Sequence, residues 1–335
     1  MNKFTTIVLL CAVIIGQLAL ARQSNLDEWT LYKKQYGKVY ETPEEDAHRF
    51  SLFLATKDKI ERHNKNTSFT YKLGLSHLSD WTQQERRKLN GLRYNENLQQ
   101  SAEANEYLRQ LMEDPTPVPD EIDWRQVPNR VTSVKNQGMC GSCWAFGTVG
   151  VLEGQQVVRN FTTELVSLSP QDLVDCSHQN FGCGGGFQHK ALDDIFYLGG
   201  IESDSDYPYD AHDHRDECKF DPIMSVMSVD GYLNFVNTGE IVLKKLVAKF
   251  GPVSVSVAAE AFFDYKSGVL ECARGQIDHA VLAVGYGTDA KLGDYWIIKN
   301  SWTEFWGEKG YVRLRRGKDA CNIGEDYQIP IWKSQ

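Results

Sequence analysis

The sequence has few basic residues and, after residue 21, no long apolar run. Its 335 residues include 36 Lys or Arg against 45 Asp or Glu, which gives a formal net charge of −9. Because the chain lacks a basic surface, we do not expect it to bind nucleic acid. No segment after residue 21 is long and apolar enough to span a bilayer, so no membrane attachment is expected once the N-terminal segment has been removed.

The N-terminal segment has the pattern of a secretory signal peptide. Lys3 supplies a positive start, residues 7–15 form a short apolar stretch, and Ala19-Leu20-Ala21 is a small-x-small cleavage site. A membrane anchor is the alternative, but the apolar stretch is too short for one. Residues 1–21 therefore predict entry into the secretory pathway, with a lysosomal or extracellular destination. In such a protein Asn66 and Asn160, which stand in N-x-S/T sequences, are candidate glycosylation sites.

Cysteine is absent from residues 22–139 and concentrated after them. Once Cys11 has left with the signal peptide, seven remain: Cys140, Cys143, Cys176, Cys183, Cys218, Cys272 and Cys321. An odd number in a secreted chain means one free thiol or an intermolecular bridge, and the other six can pair in 15 ways. Cys143 is the candidate free thiol, because it begins an apolar stretch of helical character and a helix N-terminus favours a thiolate. The alternative is that Cys143 is half of a disulfide.

The chain divides at a Pro-rich segment, residues 114–119. Residues 22–118 are charged and free of cysteine, and they predict helices over 25–36 and after Thr42-Pro43. Residues 91–118 are polar and are expected to form an extended, exposed linker. After residue 118, the part up to about 230 contains the Cys143 helix and cysteine-rich loops. The part from 231 to 335 predicts strands over 251–259, 278–287, 294–302 and 310–316. The expected fold class is α+β, with a helical half and a β half separated by a cleft.

Three further residues supply what a thiol nucleophile needs. His279 begins a predicted strand and could act as the base. Asn300 ends a neighbouring strand, where its amide oxygen could accept the second ring N–H of His279 and fix the tautomer. Gln137 could donate its side-chain N–H to an oxyanion together with the backbone N–H of Cys143.

These residues carry a resemblance to a known family. Gln137 six residues before Cys143, Cys-Gly-Ser-Cys-Trp-Ala-Phe at 140–146, Asp-His-Ala at 278–280 and Asn-Ser-Trp at 300–302 resemble the papain-like cysteine proteases, cathepsin L subgroup. The resemblance implies a secreted zymogen of papain-like two-domain fold, with a helical left domain and a β-barrel-like right domain, preceded by an inhibitory propeptide over 22–118. The peptidase unit would then be 119–335. Departures from the family pattern are Gly147, where Ser is usual, and Thr303, where Gly is usual.

The propeptide carries its own signatures. A helical signature matches at Glu45, Arg49, Leu52, Phe53, Ile60 and Asn64, with Thr56 where Asn is usual, and residues 74–80 resemble a second one. In the family the propeptide runs through the cleft in the reverse of the substrate direction. Its removal activates the enzyme, and the maturation cut is expected within 113–122.

The resemblance also assigns the remaining site residues. It implies the disulfides Cys140–Cys183, Cys176–Cys218 and Cys272–Cys321, and Trp302 as the shield of the His–Asn hydrogen bond. The residues implied to bind substrate are Gly185, Gly186, Phe187, Gln188, Ser256, Ile277, Asp326 and Trp302. Asp326 would be the floor of the pocket for the second residue before the cut, where a carboxylate could accept Arg. The alternatives are that Asp326 points to solvent or that Glu325 takes its place.

The implied activity is that of a cysteine endopeptidase acting on protein or peptide substrates. No metal or cofactor is expected, because Cys140-x2-Cys143 lacks a matched second pair for zinc. His212 and His214 lie in a connection too short for an occluding loop, so an endopeptidase is favoured over an exopeptidase. Expected partners are the chain's own propeptide and cystatin-type inhibitors, and a monomer is expected. The alternative function is a catalytically inactive, protease-like binding or storage protein.

Overall fold

The computed structural model describes residues 3–333, without the side chains of residues 3–16, 18, 19 and 21. In this part of the chain the helices are α1 Lys3–Tyr36, α2 Pro43–Lys65, α3 Gln83–Lys88, α4 Ala102–Glu113, α5 Cys143–Glu153, α6 Pro170–Cys176, α7 Gln188–Leu198 and α8 Gly239–Lys249. The strands are β1 Tyr71–Leu73, β2 Ile122–Asp123, β3 Gly231–Val236, β4 Val253–Val257, β5 Tyr265–Leu270, β6 His279–Asp289, β7 Gly293–Lys299, β8 Tyr311–Arg315 and β9 Asp326–Ile331. Among these described residues, none of the helices has the length and apolar character to cross a membrane. Most side chains of the predicted signal peptide, residues 1–21, lie outside the part of the chain that the structure describes.

The C-terminal part of α1, from residue 22, and the whole of α2 form the first part of the region expected to be the propeptide. Thr42 caps α2 by accepting a hydrogen bond from the Glu45 N–H, and Pro43 occupies the first turn, where its missing N–H costs nothing. Of the signature residues on α2, Phe53, Thr56 and Ile60 are buried and form the inner face of the helix. Phe53 packs in an aromatic cluster with Trp29 and Tyr32 of α1.

The expectation of an extended linker over residues 91–118 is wrong for α4. Ser101 caps this helix through a hydrogen bond from the Ala104 N–H, and Ala104, Tyr107, Leu108 and Leu111 form its inner stripe. The spacing of these four positions is that of one helical face. The polar average composition of the segment hid the stripe, because the other positions of α4 are exposed and, apart from Ala102 and Met112, charged or polar.

A single sheet dominates the second half of the chain. Its strand order is β1-β5-β8-β7-β6-β4-β9-β3, with β2 paired to β6. The strands predicted over 251–259, 278–287, 294–302 and 310–316 are confirmed as β4, β6, β7 and β8, with ends that differ by a few residues. The propeptide strand β1 is hydrogen bonded antiparallel to β5, so the propeptide completes one edge of the sheet.

The helical half packs against this sheet through α5. Every residue of α5 is buried, and the helix contacts β4 and β6 on one side and α6 and α7 on the other. A Cβ atom at Gly147 would lie 2.7 Å from Ser254 Oγ of β4. The close approach of helix and sheet therefore accounts for glycine at this departure from the family pattern.

Candidate active site

Cys143 is the first residue of α5 and the single unpaired cysteine among those whose side chains the structure describes. The disulfide Cys140–Cys183 holds the segment that leads into the helix. The other two disulfides join Cys176 to Cys218 and Cys272 to Cys321. These are the pairs that the family resemblance implies, and they leave one thiol at the N-terminus of a buried helix.

His279 and Asn300 meet because their strands are neighbours. His279 is the first residue of β6, Asn300 follows the last residue of β7, and the two strands are paired. The Nε2 atom of His279 lies 2.8 Å from Oδ1 of Asn300. Trp302 covers this contact, with its ring centroid 4.8 Å from that of His279. Nδ1 of His279 is buried without a hydrogen bond to the described residues, so it is the ring nitrogen left to exchange a proton.

The side chain of Gln137 is held in place by hydrogen bonds to its oxygen, which leaves its nitrogen as a hydrogen-bond donor. Oε1 accepts hydrogen bonds from Ser301 Oγ at 2.7 Å and from Trp302 Nε1 at 3.1 Å. Nε2 donates to the carbonyl oxygen of Cys140 and to that of Leu89, each at 2.9 Å. A propeptide carbonyl oxygen therefore already occupies one donor of the candidate oxyanion site.

The segment just after Leu89, which the family resemblance assigns to the propeptide, fills the cleft. The carbonyl oxygen of Gly91 accepts a hydrogen bond from the Gly186 N–H at 2.9 Å, and the Arg93 N–H donates to the Gly186 carbonyl oxygen at 2.8 Å. The Leu92 N–H donates to the carbonyl oxygen of Asp278 at 3.0 Å. A Cβ atom at Gly91 would lie 1.8 Å from the carbonyl oxygen of Gly141, so glycine alone fits this position.

Covering the cleft changes the acidity of both reactive groups. Burial raises the pKa of the Cys143 thiol to about 12 and lowers the pKa of His279 to about 4, although its hydrogen bond to Asn300 opposes that fall. Both shifts favour the neutral forms. With the propeptide in place the site therefore holds a neutral thiol and a neutral imidazole. The thiol is a poor nucleophile, because the reactive form is the thiolate.

The residues assigned to the specificity pocket come together beside this segment. Asp326 is buried and accepts hydrogen bonds from Ser256 Oγ at 2.6 Å and from Gln328 Nε2 at 2.8 Å. Gln188 lies behind Ser256, and its Oε1 atom accepts a hydrogen bond from the Ser256 hydroxyl at 3.2 Å. Burial raises the pKa of Asp326. The carboxyl group does not point to solvent, and the neighbouring Glu325 instead forms an ion pair with Arg274.

The remaining predicted residues lie at the rim or away from the site. Phe187 and Gln188 share a pocket with Asp326 and with Tyr94 of the propeptide, while Ile277 packs in the same apolar cluster as Cys143. Asn66 and Asn160 are exposed. His212 and His214 sit at the surface next to Asp210.

Sequence reasoning missed the propeptide residues that enter the cleft. Leu89 and Gly91 lie in a short, polar stretch with no periodicity, and the one available signal was a glycine at residue 91. Asp264 was also missed: this buried carboxylate receives Arg86 at 3.0 Å and Lys59 at 2.6 Å from the propeptide.

A thiol at a helix N-terminus, beside a histidine oriented by an amide and under a segment of the same chain, defines a thiol hydrolase in an inhibited form. Residues 118–331 match the family described as papain family cysteine protease, and residues 29–85 match the cathepsin propeptide inhibitor domain (I29). The chain belongs to the papain family of cysteine proteases, and its relatives show that it is cathepsin L-like.

Two relatives cover nearly the whole chain. A Caenorhabditis elegans protein named cathepsin L-like is 39% identical over 99% of this chain and 100% of its own length. Mouse cathepsin K is 41% identical over 93% of this chain and 95% of its own length. The fold is likewise that of known zymogens: digestive procathepsin L 3 of Tenebrio molitor larval midgut superposes with a TM-score of 0.80, at 34% identity over 92% of this chain and 99% of that one. The papain-like fold is therefore confirmed, and so is a cysteine protease that is made as a zymogen. A protease of this kind is typical of the secretory pathway.

Proposed function

We propose that Cys143, His279, Asn300 and Gln137 are the catalytic residues of this cysteine endopeptidase. The observation that carries the proposal is the His279–Asn300 hydrogen bond at the N-terminus of α5, covered by Leu89 and Gly91 of the propeptide. The inactive binding or storage protein receives no support from the relatives, and the four side chains are all present.

The proposed reaction proceeds through an acyl-enzyme. Once the propeptide leaves, solvent reaches the cleft, and the Cys143 thiolate and the His279 imidazolium stabilise each other's charge. The thiolate attacks the scissile carbonyl, whose oxygen takes hydrogen bonds from Gln137 Nε2 and from the Cys143 N–H. His279 then protonates the leaving amine and activates the water that releases the acyl group.

We propose residues 1–21 as the signal peptide, 22–118 as the propeptide and 119–335 as the peptidase unit. Within that unit, about 119–230 is the mainly helical half and about 231–335 the mainly β half. The family matches at 29–85 and 118–331 support the division. We place the maturation cut within 113–122, which lies between α4 and the first strand of the peptidase unit.

The nucleophile is tested by Cys143→Ala. We expect this variant to keep the fold and disulfides but to lose hydrolysis of a Phe-Arg reporter peptide, after the propeptide has been removed by an added protease. Wild-type enzyme should react one-to-one with the epoxide inhibitor E-64 and lose activity. Residual turnover within tenfold of the wild type would contradict the assignment.

We also propose that Asp326 lets the specificity pocket accept Arg as well as apolar side chains. Its raised pKa means that the carboxyl group is neutral at low pH and gains charge as the pH rises, so Arg acceptance should increase with pH. Asp326→Asn should reduce cleavage of an Arg-Arg reporter about tenfold or more relative to a Phe-Arg reporter. Glu325→Gln is the control, and equal ratios in the two variants would refute the role of Asp326.

The location and partners that we propose are those expected for a secreted cysteine endopeptidase. We propose that the mature enzyme is a monomer in a lysosomal or extracellular compartment. Its substrates are proteins and peptides, and cystatin-type inhibitors are its expected regulators. The disulfides support an oxidising pathway, and the exposure of Asn66 and Asn160 is compatible with glycosylation there.

A further inference from the structure

The helix α4 makes a contact that is separate from the cleft. Its stripe of Ala104, Tyr107, Leu108 and Leu111 joins the apolar core built by β3 and α8. The ring of Tyr107 stands edge-on to Phe235 of β3, with 6.0 Å between the centroids. Residues 95–101 connect this helix to the cleft segment, so one chain occupies the cleft and this face at the same time.

Two lysines of α8 bind the end of the helix, one through its backbone and the other through an acidic side chain. Lys245 Nζ donates to the carbonyl oxygen of Leu111 at 3.0 Å and to that of Met112 at 3.3 Å. Lys249 forms an ion pair with Asp114, the residue that caps α4. Terminal carbonyl groups carry the negative end of the helix dipole, so these cations would serve any helix that ends in the same place with an acidic residue.

Removal of the propeptide would uncover this face, which we call the α4 platform: Phe235 of β3 with Lys245 and Lys249 of α8, and with Val242 and Leu246, the α8 residues of the same apolar cluster. Phe235 would then lose its contact with Tyr107, and the two lysines would lose the partners that α4 and Asp114 supply. An apolar patch with a charged rim is typical of a protein-binding surface.

We propose that the α4 platform is a docking site for an amphipathic helix of a protein substrate, ending in an acidic residue. In the zymogen α4 fills the site, and maturation opens it. The inference rests on the proposed maturation within 113–122. Because the platform is distinct from the cleft, a docked helix raises the local concentration of the substrate chain at the active site without altering the chemistry.

Binding is tested first with the helix that the structure shows. A fluorescent peptide of residues 101–114 is titrated by anisotropy against mature enzyme blocked with E-64. We expect saturable binding that weakens at least tenfold in Lys245→Glu/Lys249→Glu and when the peptide carries Leu108→Glu. The matched control is Lys244→Glu, because Lys244 lies on the same helix but over the ring of Tyr286.

The substrate role is tested with a Phe-Arg reporter that carries residues 95–114 at one or the other end. We expect at least one version to have a KM at least tenfold below that of the untailed reporter, with kcat unchanged. The gain should disappear in Lys245→Glu/Lys249→Glu and persist in Lys244→Glu. Equal KM values, or peptide binding that is insensitive to the double charge reversal, would overturn the proposal.

The proposal would also be overturned if the mature enzyme self-associates and the 101–114 peptide reverses the association. The occupant of the platform would then be a second copy of the enzyme. Failure of the proposed function looks different. In that case wild-type enzyme does not hydrolyse the untailed reporter, while the anisotropy titration still decides whether the platform binds a helix.

Discussion

At the scale of single residues, His77 is an unusual occupant of the propeptide interior. Its Nδ1 is buried without a partner, its carbonyl oxygen accepts a hydrogen bond from Lys38, and Lys38 also pairs with the buried Asp80. Burial and the charge of Lys38 lower the pKa of His77 to about 4, against the opposing effect of Asp80. A detached propeptide would bind a proton near pH 6.5, and the packed one only near pH 4. Propeptide packing therefore loses stability as the pH falls through this window.

We predict that His77→Gln makes the zymogen more resistant to acid. The pH at which half of the zymogen converts in a fixed time should fall by roughly half a unit or more, because one source of proton uptake on release is gone. His48→Gln on the exposed face of α2 is the control. Identical conversion profiles for the two variants would show that His77 is not a trigger.

The positions of single site residues relative to helices and strands could be predicted from the sequence. Cys143, His279 and Asn300 could be found because each sits at the start of a helix or at the end of a strand, where local sequence is informative. Leu89 and His77 could not, since their roles depend on what the folded chain places around them. Burial and the charges of Lys38 and Asp80 decide the acidity of His77, and none of these can be inferred from its neighbours in sequence.

At the scale of elements, three parts of the propeptide converge on Asp264, just before β5. Lys59 of α2 and Arg86 of α3 reach its carboxylate, and the Gly74 N–H donates to its carbonyl oxygen. Arg86 is itself buried, with its guanidinium group over the ring of Phe263. Breaking a buried ion pair leaves an uncompensated charge and costs about 3–5 kcal/mol.

We predict that Asp264→Asn loosens the propeptide without impairing the mature enzyme. A loss of about 3 kcal/mol corresponds to an increase of about a hundredfold in the open population, so zymogen conversion at a fixed pH should be much faster. The kcat/KM of mature enzyme should stay within twofold of the wild type. Glu260→Gln, which loses only an exposed contact with Gln83, should convert at the wild-type rate. Slow conversion of both variants would exclude Asp264 as an anchor.

Elements were predictable where their periodicity was long. The α2 face and the strands β4, β6, β7 and β8 follow from their patterns. The strand β1 is three residues long and exists because it pairs with β5, about 200 residues away in sequence. The helix α4 was not predicted, because the average composition of residues 91–118 is polar and obscures the stripe of four buried or partly buried positions.

At the scale of the whole molecule, a buried charge cluster joins the two halves behind the active site. Glu153 of α5 accepts a hydrogen bond from Thr132 and pairs with Lys135 at 3.1 Å. Lys299 of β7 donates to Thr132 Oγ1 at 2.9 Å. Burial lowers the pKa of Lys299 to about 8, and the charge of Glu153 opposes that fall. Glu153 is therefore the nearer of two carboxylates that pair with Lys135, the other being Asp204 at 3.8 Å, and it also favours the charged form of Lys299.

We predict that Glu153→Gln destabilises the whole protein by about 3 kcal/mol. For a unit of this size that corresponds to a fall in Tm of about 6–12 °C. The measurement is thermal unfolding of the zymogen carrying Cys143→Ala, which prevents self-digestion, with exposed Glu164→Gln as control. A Tm within 2 °C of the control would contradict a role for the cluster in joining the halves.

The sheet order has a consequence for how the protein can be stored. Strand β1 of the propeptide closes the β5 edge, and at the opposite end Gln100, just ahead of α4, accepts the N–H of Val236 in β3. The removable segment thus covers the β5 edge with a strand, but it contacts the β3 edge at a single backbone N–H. Its removal would free the backbone groups of the β5 edge, and an unpaired edge is a template for pairing with another chain. We therefore expect the mature enzyme to aggregate more readily than the zymogen at the same concentration.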